Sequence, residues 1–414
     1  MSGSGRTIYI AGAGIAGLTL ALALAKFGAT VVVLERNKAV QEVGAGLKVS
    51  SNELRVLDRL GLDKQLRARS FEPTGIDILP FRATRALTTL ALGSTMVRHF
   101  SAPYAVMHRA DLAAVLYAAC KRFANIDVIF GVRSFDAVSH TRGVSATFDE
   151  ADGGARSVRG FAFVGADGVH SRTRTLALQG PEAAYTGTVA WRITLPMSAL
   201  DGAVAPNRTS LLFGPGYNAV CYPLPHRKQI NGVLFSRVPE AEAFGPRPPK
   251  APRLPWAMLR STRFDALTEA AGDAWGYWPL STVETETWHD GSIGLIGDAA
   301  HAMLPFQAQG AAMAIEDAAI LAPLLMTEPD AGSAFARYAA MRRPRVERVR
   351  RLSKSNGVAF HLEWPFTLAR AVVIAMQGPR GHLRRLAWLY GYDPAPDPEI
   401  AAAPRGLERP RQPG

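Results

Sequence analysis

The first third of the chain alternates short β-branched runs with longer helix-forming stretches. Thr7–Ala11 reads as a buried strand, Gly12-Ala-Gly14-Ile-Ala-Gly17 as a turn and Leu18–Phe27 as a helix. Thr30–Leu34 is again β-branched, completing a βαβ unit of about 30 residues. Ser51–Gly61 predicts a helix with Asn52 near its start and Gly61 at its C′ position. Arg69–Tyr104 reads as irregular, with short alternating runs such as Gly75–Leu79. Arg109–Phe123 then predicts a helix and Asp127–Phe130 a strand.

Further on, the period shortens toward two. Val144–Val164 predicts a hairpin turning at Gly153-Gly154. Thr186–Leu195, Thr209–Phe213, Ala219–Leu224 and Gln229–Arg237 follow at hairpin spacing and predict an antiparallel sheet. The five prolines within Gly245–Pro255 predict a loop. Ser292–Ile296 returns to a buried-strand pattern, Gly310–Met326 predicts a helix, and Ala331–Tyr390 is helical and Arg-rich. Six prolines after Asp393 predict a disordered tail. No internal repeat is visible. The order is α/β, antiparallel β, α/β, then helices, which suits a dinucleotide-binding domain interrupted by an antiparallel insertion.

Composition narrows the field. At 414 residues and 48% hydrophobic, the chain can bury a sizeable core. The net charge of +12 admits nucleic acid or an anionic surface as partners, but the charge is uneven. From Ala331 onward 15 basic and 6 acidic residues give +9, leaving about +3 for everything before. The run Arg342-Arg-Pro-Arg345-Val-Glu-Arg348-Val-Arg350-Arg351 has no interleaved aromatic residue and reads as a solvated helix face. No nucleic acid partner is expected. Two cysteines, Cys120 and Cys221, exclude a disulfide scaffold and a CxxC metal pair, so no metal is expected. Ile8–Ala25 is 18 residues without a charge, at the lower limit for a membrane span. Its interruption by glycines favours a buried strand–turn–helix. With no signal-peptide pattern at Met1–Arg6, a cytoplasmic protein without a membrane span is expected.

The strand–turn–helix carries Gly12-x-Gly14-x-x-Gly17, and Glu35 ends the next strand 18 residues later. Gly12 permits the tight turn, Gly14 lets a pyrophosphate approach, and Gly17 lets the helix pack on the sheet. The helix N-terminus offers free N–H groups to phosphate, and Glu35 would accept from ribose hydroxyls. This fingerprint does not separate NAD from FAD. Two distant segments do: Val164-Gly-Ala-Asp167-Gly168-Val-His170-Ser171-Arg172, and Ile293-Gly-Leu-Ile-Gly297-Asp298-Ala-Ala-His301 with Pro305 and Ala308-Gln309-Gly310 behind it. In each a β-rich run ends at a carboxylate, Asp167 or Asp298, able to reach a ribityl or ribose hydroxyl. The helix opening at Gly310 could set N–H groups against a flavin N1–C2=O edge. His170 and His301 read as local structural hydrogen-bonders.

Together these three segments resemble the signatures of the single-component, FAD-dependent aromatic hydroxylases (group A flavoprotein monooxygenases), from about Thr7 to Tyr392. Val43-Gly-Ala-Gly46, His108-Arg109-Ala-Asp111-Leu112, Gly214-Pro215 with Tyr222-Pro223-Leu224, and Trp388-Leu-Tyr-Gly-Tyr392 are similar to the salicylate 1-monooxygenase and 6-hydroxynicotinate 3-monooxygenase branch. The resemblance implies a Rossmann-like FAD-binding domain (1-72, 102-182 and 280-345) interrupted by an antiparallel-sheet substrate domain (73-101 and 183-279). C-terminal helices (346-392) and a tail (393-414) complete the chain. It implies bound FAD contacted by Gly12, Gly14, Gly17, Glu35, Arg36, Gly46, Arg109, Asp167, Asp298 and Gly310. Arg109 would lie near the pyrophosphate, Arg36 beside the adenosine and Asp298 on the ribityl chain. Otherwise Arg109 is a surface helix residue and Asp111 a helix cap.

The implied cycle has transient NAD(P)H reduce FAD, O2 add as a C4a-hydroperoxide, and OH pass to a small phenolic acid or hydroxylated N-heteroaromatic, with or without decarboxylation. Two positions stand out for catalysis. Tyr222 occupies the family's proton-transfer Tyr position, or else is a core Tyr. Lys48, in Gly44-Ala45-Gly46-Leu47-Lys48, stands where the branch has His. A buried Lys could act as base or pair with a carboxylate or phenolate; otherwise it snorkels from a strand edge. Arg192, Asn218 and Pro305 are candidate substrate-facing positions. Asn218 replaces another His of the branch, and Arg192 also suits a structural ion pair. Two other functions remain open: epoxidation or hydroxylation of a larger polycyclic or non-aromatic substrate, and a non-catalytic flavin-binding or basic interaction protein. A monomer or homodimer is expected.

Overall fold

The computed structural model describes residues 5–40, 46–80, 83, 85–149, 153–254, 262–363 and 365–394. Thr7–Ala11 lies inside a six-stranded sheet with the order His289–Asp290, Ile293–Leu295, Ala162–Gly165, Thr7–Ala11, Thr30–Glu35, Ile126–Phe130. All neighbours are parallel except the first pair. A parallel sheet is covered on both faces, so its strands are apolar on both faces. Ile8, Ile10, Val31, Val33, Phe163 and Val164 are accordingly fully buried. Helix Ile15–Lys26 begins earlier than the pattern predicts, because Gly17 lies within its first turn. Helix Gly310–Thr327 packs against it and is long and apolar enough to cross a membrane, but 78% of it is buried inside the protein. It is a core helix.

A second sheet has seven strands in the order Gly276–Thr282, Ala184–Pro196, Gln229–Arg237, Tyr217–Leu224, Thr209–Gly214, Gly75–Pro80, Thr88–Ala91. It is antiparallel as expected, except that Thr209–Gly214 runs parallel to Gly75–Pro80. Residues directly opposite in a ladder share a face. Ala190, Arg192, Asn218, Val220, Tyr222, Asn231, Val233 and Phe235 therefore lie on one face. Trp191, Ile193, Ala219, Cys221 and Leu234 lie on the other and pack with Leu267 and Ala271.

Several expectations need correction. Arg69–Tyr104 is not irregular: it holds strands Ser70–Phe71, Gly75–Pro80 and Thr88–Ala91 and helix Ser94–Phe100. Thr88–Ala91 is a half-buried edge strand, which blurs the alternation that would reveal it. Gly276–Thr282 went unread for the same reason, every residue being half-buried. Helix Thr262–Ala271 and strand Phe135–His140 were also missed. The hairpin is confined to Gly143–Asp149 and Ala155–Gly160, while Ala162–Gly165 turns away into the parallel sheet. The Arg-rich segment is two helices, Ala331–Phe360 and Phe366–Tyr390. The second is kinked at Gly378 (φ 57°) ahead of Pro379. Residues 43–45 and the tail beyond 394 lie outside the described residues.

Candidate active site

The Gly-rich turn has the shape that its glycines require. Gly12 has φ 103°, and a Cβ there would lie 2.6 Å from the Ala166 carbonyl oxygen. A Cβ at Gly17 would lie 1.9 Å from the Gly12 carbonyl oxygen, so only glycine lets the helix close on the turn. Gly14 is the N-cap of helix Ile15–Lys26 and no side chain caps it, which leaves the first-turn N–H groups to a ligand. Glu35 is 8% exposed and braces the turn: Oε2 accepts from the Ala13 N–H at 2.8 Å, and Oε1 from the Asn37 backbone and side chain. Arg36 beside it is exposed.

Asp167 and Asp298 occupy equivalent strand ends but differ in use. Asp167 accepts from Ser171 Oγ (2.5 Å), the Thr173 N–H (3.0 Å) and Thr173 Oγ1 (3.2 Å), so it holds its own turn together. Asp298 is exposed at the first position of helix Asp298–His301 and makes no hydrogen bond to a described residue. A Cβ at Gly310 would lie 3.9 Å from Asp298 Oδ1, so this open carboxylate stands beside the start of helix Gly310–Thr327. An unpartnered acceptor, a bare helix start and a glycine-only phosphate turn fit FAD.

Behind that pair lies a cluster that sequence reading missed. Asp317 Oδ2 accepts from the Gly297 N–H at 2.9 Å and contacts His301 Nε2 at 2.7 Å. The structural role expected for His301 is thus what the fold gives it. Burial works against the Asp317 carboxylate, but His301 and Arg342 prevail and lower it to about 2. Arg342 is fully buried and bridges Asp317 Oδ1 and Glu316 Oε2, both at 2.7 Å; Arg345 pairs with Glu316. The basic run is therefore not a solvated face throughout. Arg345 and Arg348 also stack on Tyr392 (3.7 Å) and Trp388 (3.8 Å), which accounts for the Trp388–Tyr392 motif. The readable signal was Glu316-Asp317 inside an apolar helix, since buried acids need cationic partners.

Arg109 opens helix Arg109–Cys120, half-buried, directly after strand Ala105–His108. The helix cap is His108 Nδ1, accepting from the Ala110 N–H, and not Asp111. Asp111 reaches the other sheet instead, pairing with His226 (2.8 Å) and Arg227 (2.6 Å).

Strand Gly46–Val49 pairs with that same strand, setting Gly46 opposite His108. A Cβ at Gly46 would lie 2.4 Å from the Tyr222 hydroxyl, and the Gly46 N–H donates to Asn231 Oδ1 at 2.6 Å. Lys48 is two residues on, on the same side of its strand, toward the sheet that carries Tyr222. It is half-buried, makes no ion pair or hydrogen bond with a described residue, and is lowered by desolvation to about 8. Tyr222 is 3% exposed; burial raises its phenol above its ordinary value, while Arg192 pulls the other way. Arg192 also lies over the Trp278 ring at 5.2 Å. Asn218, on the same face, is buried with Oδ1 unpartnered. Pro305 opens a short turn that sets Phe306 against Phe235, with ring centroids 5.4 Å apart. Phe306 and Phe360 close this face with apolar surface. The structure thus brings Gly46, Tyr222 and Arg192 together, sets Lys48 on the same side of the strand as Gly46, and adds Asn231, which sequence reading did not single out.

Comparison with known proteins identifies the family and the fold. A family model described as an FAD binding domain matches residues 6–353. The chain is 30% identical to 3-hydroxybenzoate 6-hydroxylase 1 of Aquipseudomonas alcaligenes, over 93% of this chain and 97% of that one. It is 29% identical to 6-hydroxynicotinate 3-monooxygenase of Bordetella bronchiseptica, over 84% and 91%. Among solved structures it resembles Klebsiella pneumoniae HpxO complexed with FAD and uric acid, with TM-score 0.78, 21% identity, and 93% and 96% coverage. The α/β fold, the three flavin signatures and these similarities place the chain in the FAD-binding-domain family, among the FAD-dependent aromatic hydroxylases.

Proposed function

We propose that this enzyme hydroxylates a small phenolic acid or hydroxylated N-heteroaromatic at the face carrying Lys48 and Tyr222, with NAD(P)H as transient co-substrate. The observation that carries the reading is the Tyr222 hydroxyl packed against Gly46, with Lys48 two residues on along the same side of that strand and without an ion pair or hydrogen bond to a described residue. When bound, FAD supplies electron transfer from NAD(P)H and activation of O2. The chain supplies the rest. The turn of Gly12, Gly14 and Gly17 holds the pyrophosphate, with Arg109 near it and Arg36 at the adenosine. Asp298 and the helix start at Gly310 hold the ribityl chain and the ring edge. Glu35 and Asp167 act one step back, keeping their turns in shape.

Lys48, as an ammonium, attracts the substrate's carboxylate or phenolate and favours the ionised, more nucleophilic ring. The Tyr222 hydroxyl, with a raised pKa, stays protonated and can give or take a hydrogen bond at a ring oxygen. Arg192 and Asn218 flank that position, and the Phe235, Phe306 and Phe360 rings exclude water. The free, buried Cys120 and Cys221 support a cytoplasmic setting, and a monomer or homodimer completes the reading. The division into 1-72, 102-182 and 280-345 against 73-101 and 183-279 is supported by sheet membership. Among the described strands only Gly276–Thr282 straddles one of these boundaries, and helix Ala331–Phe360 runs across the end at 345.

The test is a screen of hydroxylated aromatic acids and hydroxypyridines for stimulated NAD(P)H oxidation, repeated with Lys48→Met. A phenolic substrate that stimulates the parent, with turnover falling strongly in Lys48→Met while FAD stays bound, is the expected result. Unchanged turnover in Lys48→Met would return Lys48 to a strand-edge role. An epoxide or N-oxide product would move the reading to a larger or non-aromatic substrate.

A further inference from the structure

Glu316 and Asp317 are adjacent, fully buried carboxylates in the middle of an apolar helix. Their contacts run outward to two separate cofactor-facing segments. Asp317 Oδ2 accepts from the N–H of Gly297, the residue before Asp298. Glu316 Oε1 accepts from Asn52 Nδ2 at 2.7 Å, and that same amide nitrogen donates to Gln309 Oε1 at 3.2 Å. Gln309 is the N-cap residue of helix Gly310–Thr327, and its Nε2 donates to Ser50 Oγ at 2.9 Å. Arg342 then ties the two carboxylates together, and its Nη2 donates to the Met313 carbonyl at 3.2 Å.

Buried ionic groups are expensive, and well-packed apolar residues in their place often stabilise a fold more. Here the polar atoms are matched to partners with little slack, which makes the cluster stiff. Its two outward ends are the turn bearing Asp298 and Gln309, the residue that precedes the helix at Gly310.

We propose that Asn52, Glu316, Asp317 and Arg342 form a brace that sets the spacing between the Gly297–Asp298 turn and the Gln309–Gly310 helix start, and thereby positions bound FAD. These are positioning residues: all four are fully buried. The C-terminal helix Ala331–Phe360, through Arg342, becomes part of the cofactor site's support. The proposal rests on flavin occupying this cradle and is independent of the substrate.

The experiment measures the FAD dissociation constant and the absorbance bands of bound flavin in Asp317→Asn and Asn52→Ala, without substrate. Ser236→Ala serves as control. It removes the partner of the buried Trp191 Nε1 (2.8 Å) on the far side of the other sheet. Loss of a buried hydrogen bond that fixes the cradle weakens FAD binding about tenfold and shifts the flavin bands. The control lowers the thermal midpoint without either change. Should Asp317→Asn fail to fold, Asn52→Ala decides alone, since it removes an amide and no charge. Parent-like FAD affinity and spectrum in a folded Asn52→Ala, or the same weakening in Ser236→Ala, would overturn the brace. Failure of the parent itself to bind FAD would instead overturn the flavin reading.

Discussion

Lys48 shows how a single residue's environment becomes measurable. Its amine is lowered from 10.5 to about 8 by desolvation, so the folded state holds that proton less tightly than the unfolded chain does. Below about pH 8 both states are protonated and the fold bears the full cost of the buried charge. The cost fades as pH rises toward 10.5. Lys48→Met should therefore gain thermal stability over the parent near pH 6, and the gap should close near about pH 10. A constant gap across that range would show that Lys48 is not desolvated. Gly12→Ala makes the opposite case, a residue whose identity is fixed by backbone. With φ 103° and a carbonyl 2.6 Å from the new Cβ, it should cost at least about 1 kcal/mol in thermal or urea unfolding and weaken FAD retention. The shape of the glycine turn and the strand-end placement of Asp298 were legible in the sequence because backbone geometry and the β-rich run ahead of the carboxylate fix both. Asn231 and Asn52 were not, because nothing along the chain says that an Asn will meet Gly46 or Gln309 far away in sequence.

Elements followed the same logic. The buried parallel strands and helix Gly310–Thr327 were readable because full burial leaves long apolar runs. The edge strands Thr88–Ala91 and Gly276–Thr282 were not, because half-buried positions dilute the period. Helix Ala331–Phe360 was read as a helix but with its basic residues facing solvent, although Arg342 and Arg345 turn inward onto Glu316 and Asp317. Its docking is thus electrostatic as well as apolar. Arg342→Met removes the buried cation shared by two buried carboxylates and should cost about 3–5 kcal/mol in urea unfolding. Arg351→Met, whose parent side chain is exposed, should change stability by less than about 1 kcal/mol. Equal effects of the two substitutions would contradict the buried pairing. The link from helix Arg109–Cys120 to the turn Pro225–Arg227 is also ionic. Asp111 is opposed by desolvation but lowered overall by Arg227 and His226. Its contribution is present above the ordinary carboxylate pKa and is lost as pH falls through the lowered one. Asp111→Asn should therefore be less stable than the parent near neutrality, with the difference vanishing in acid.

For the whole molecule, the net charge of +12 proved a weak guide to partners. Part of its C-terminal excess is consumed inside, holding a core helix, and the rest leaves at most a mild attraction for anionic substrates. The two sheets matter more. The parallel one carries the glycine turn and Asp298 at its strand ends, and the other carries Tyr222 against Gly46 of strand Gly46–Val49, with Arg192 on the same face. The most direct test of this arrangement is the mass of the product formed from a stimulating phenolic acid under isotopically heavy dioxygen with NAD(P)H. The account predicts one heavy oxygen atom in a new ring hydroxyl, dependent on bound FAD. NAD(P)H oxidation that yields only hydrogen peroxide with every aromatic tried, or a product without the heavy atom, would contradict it.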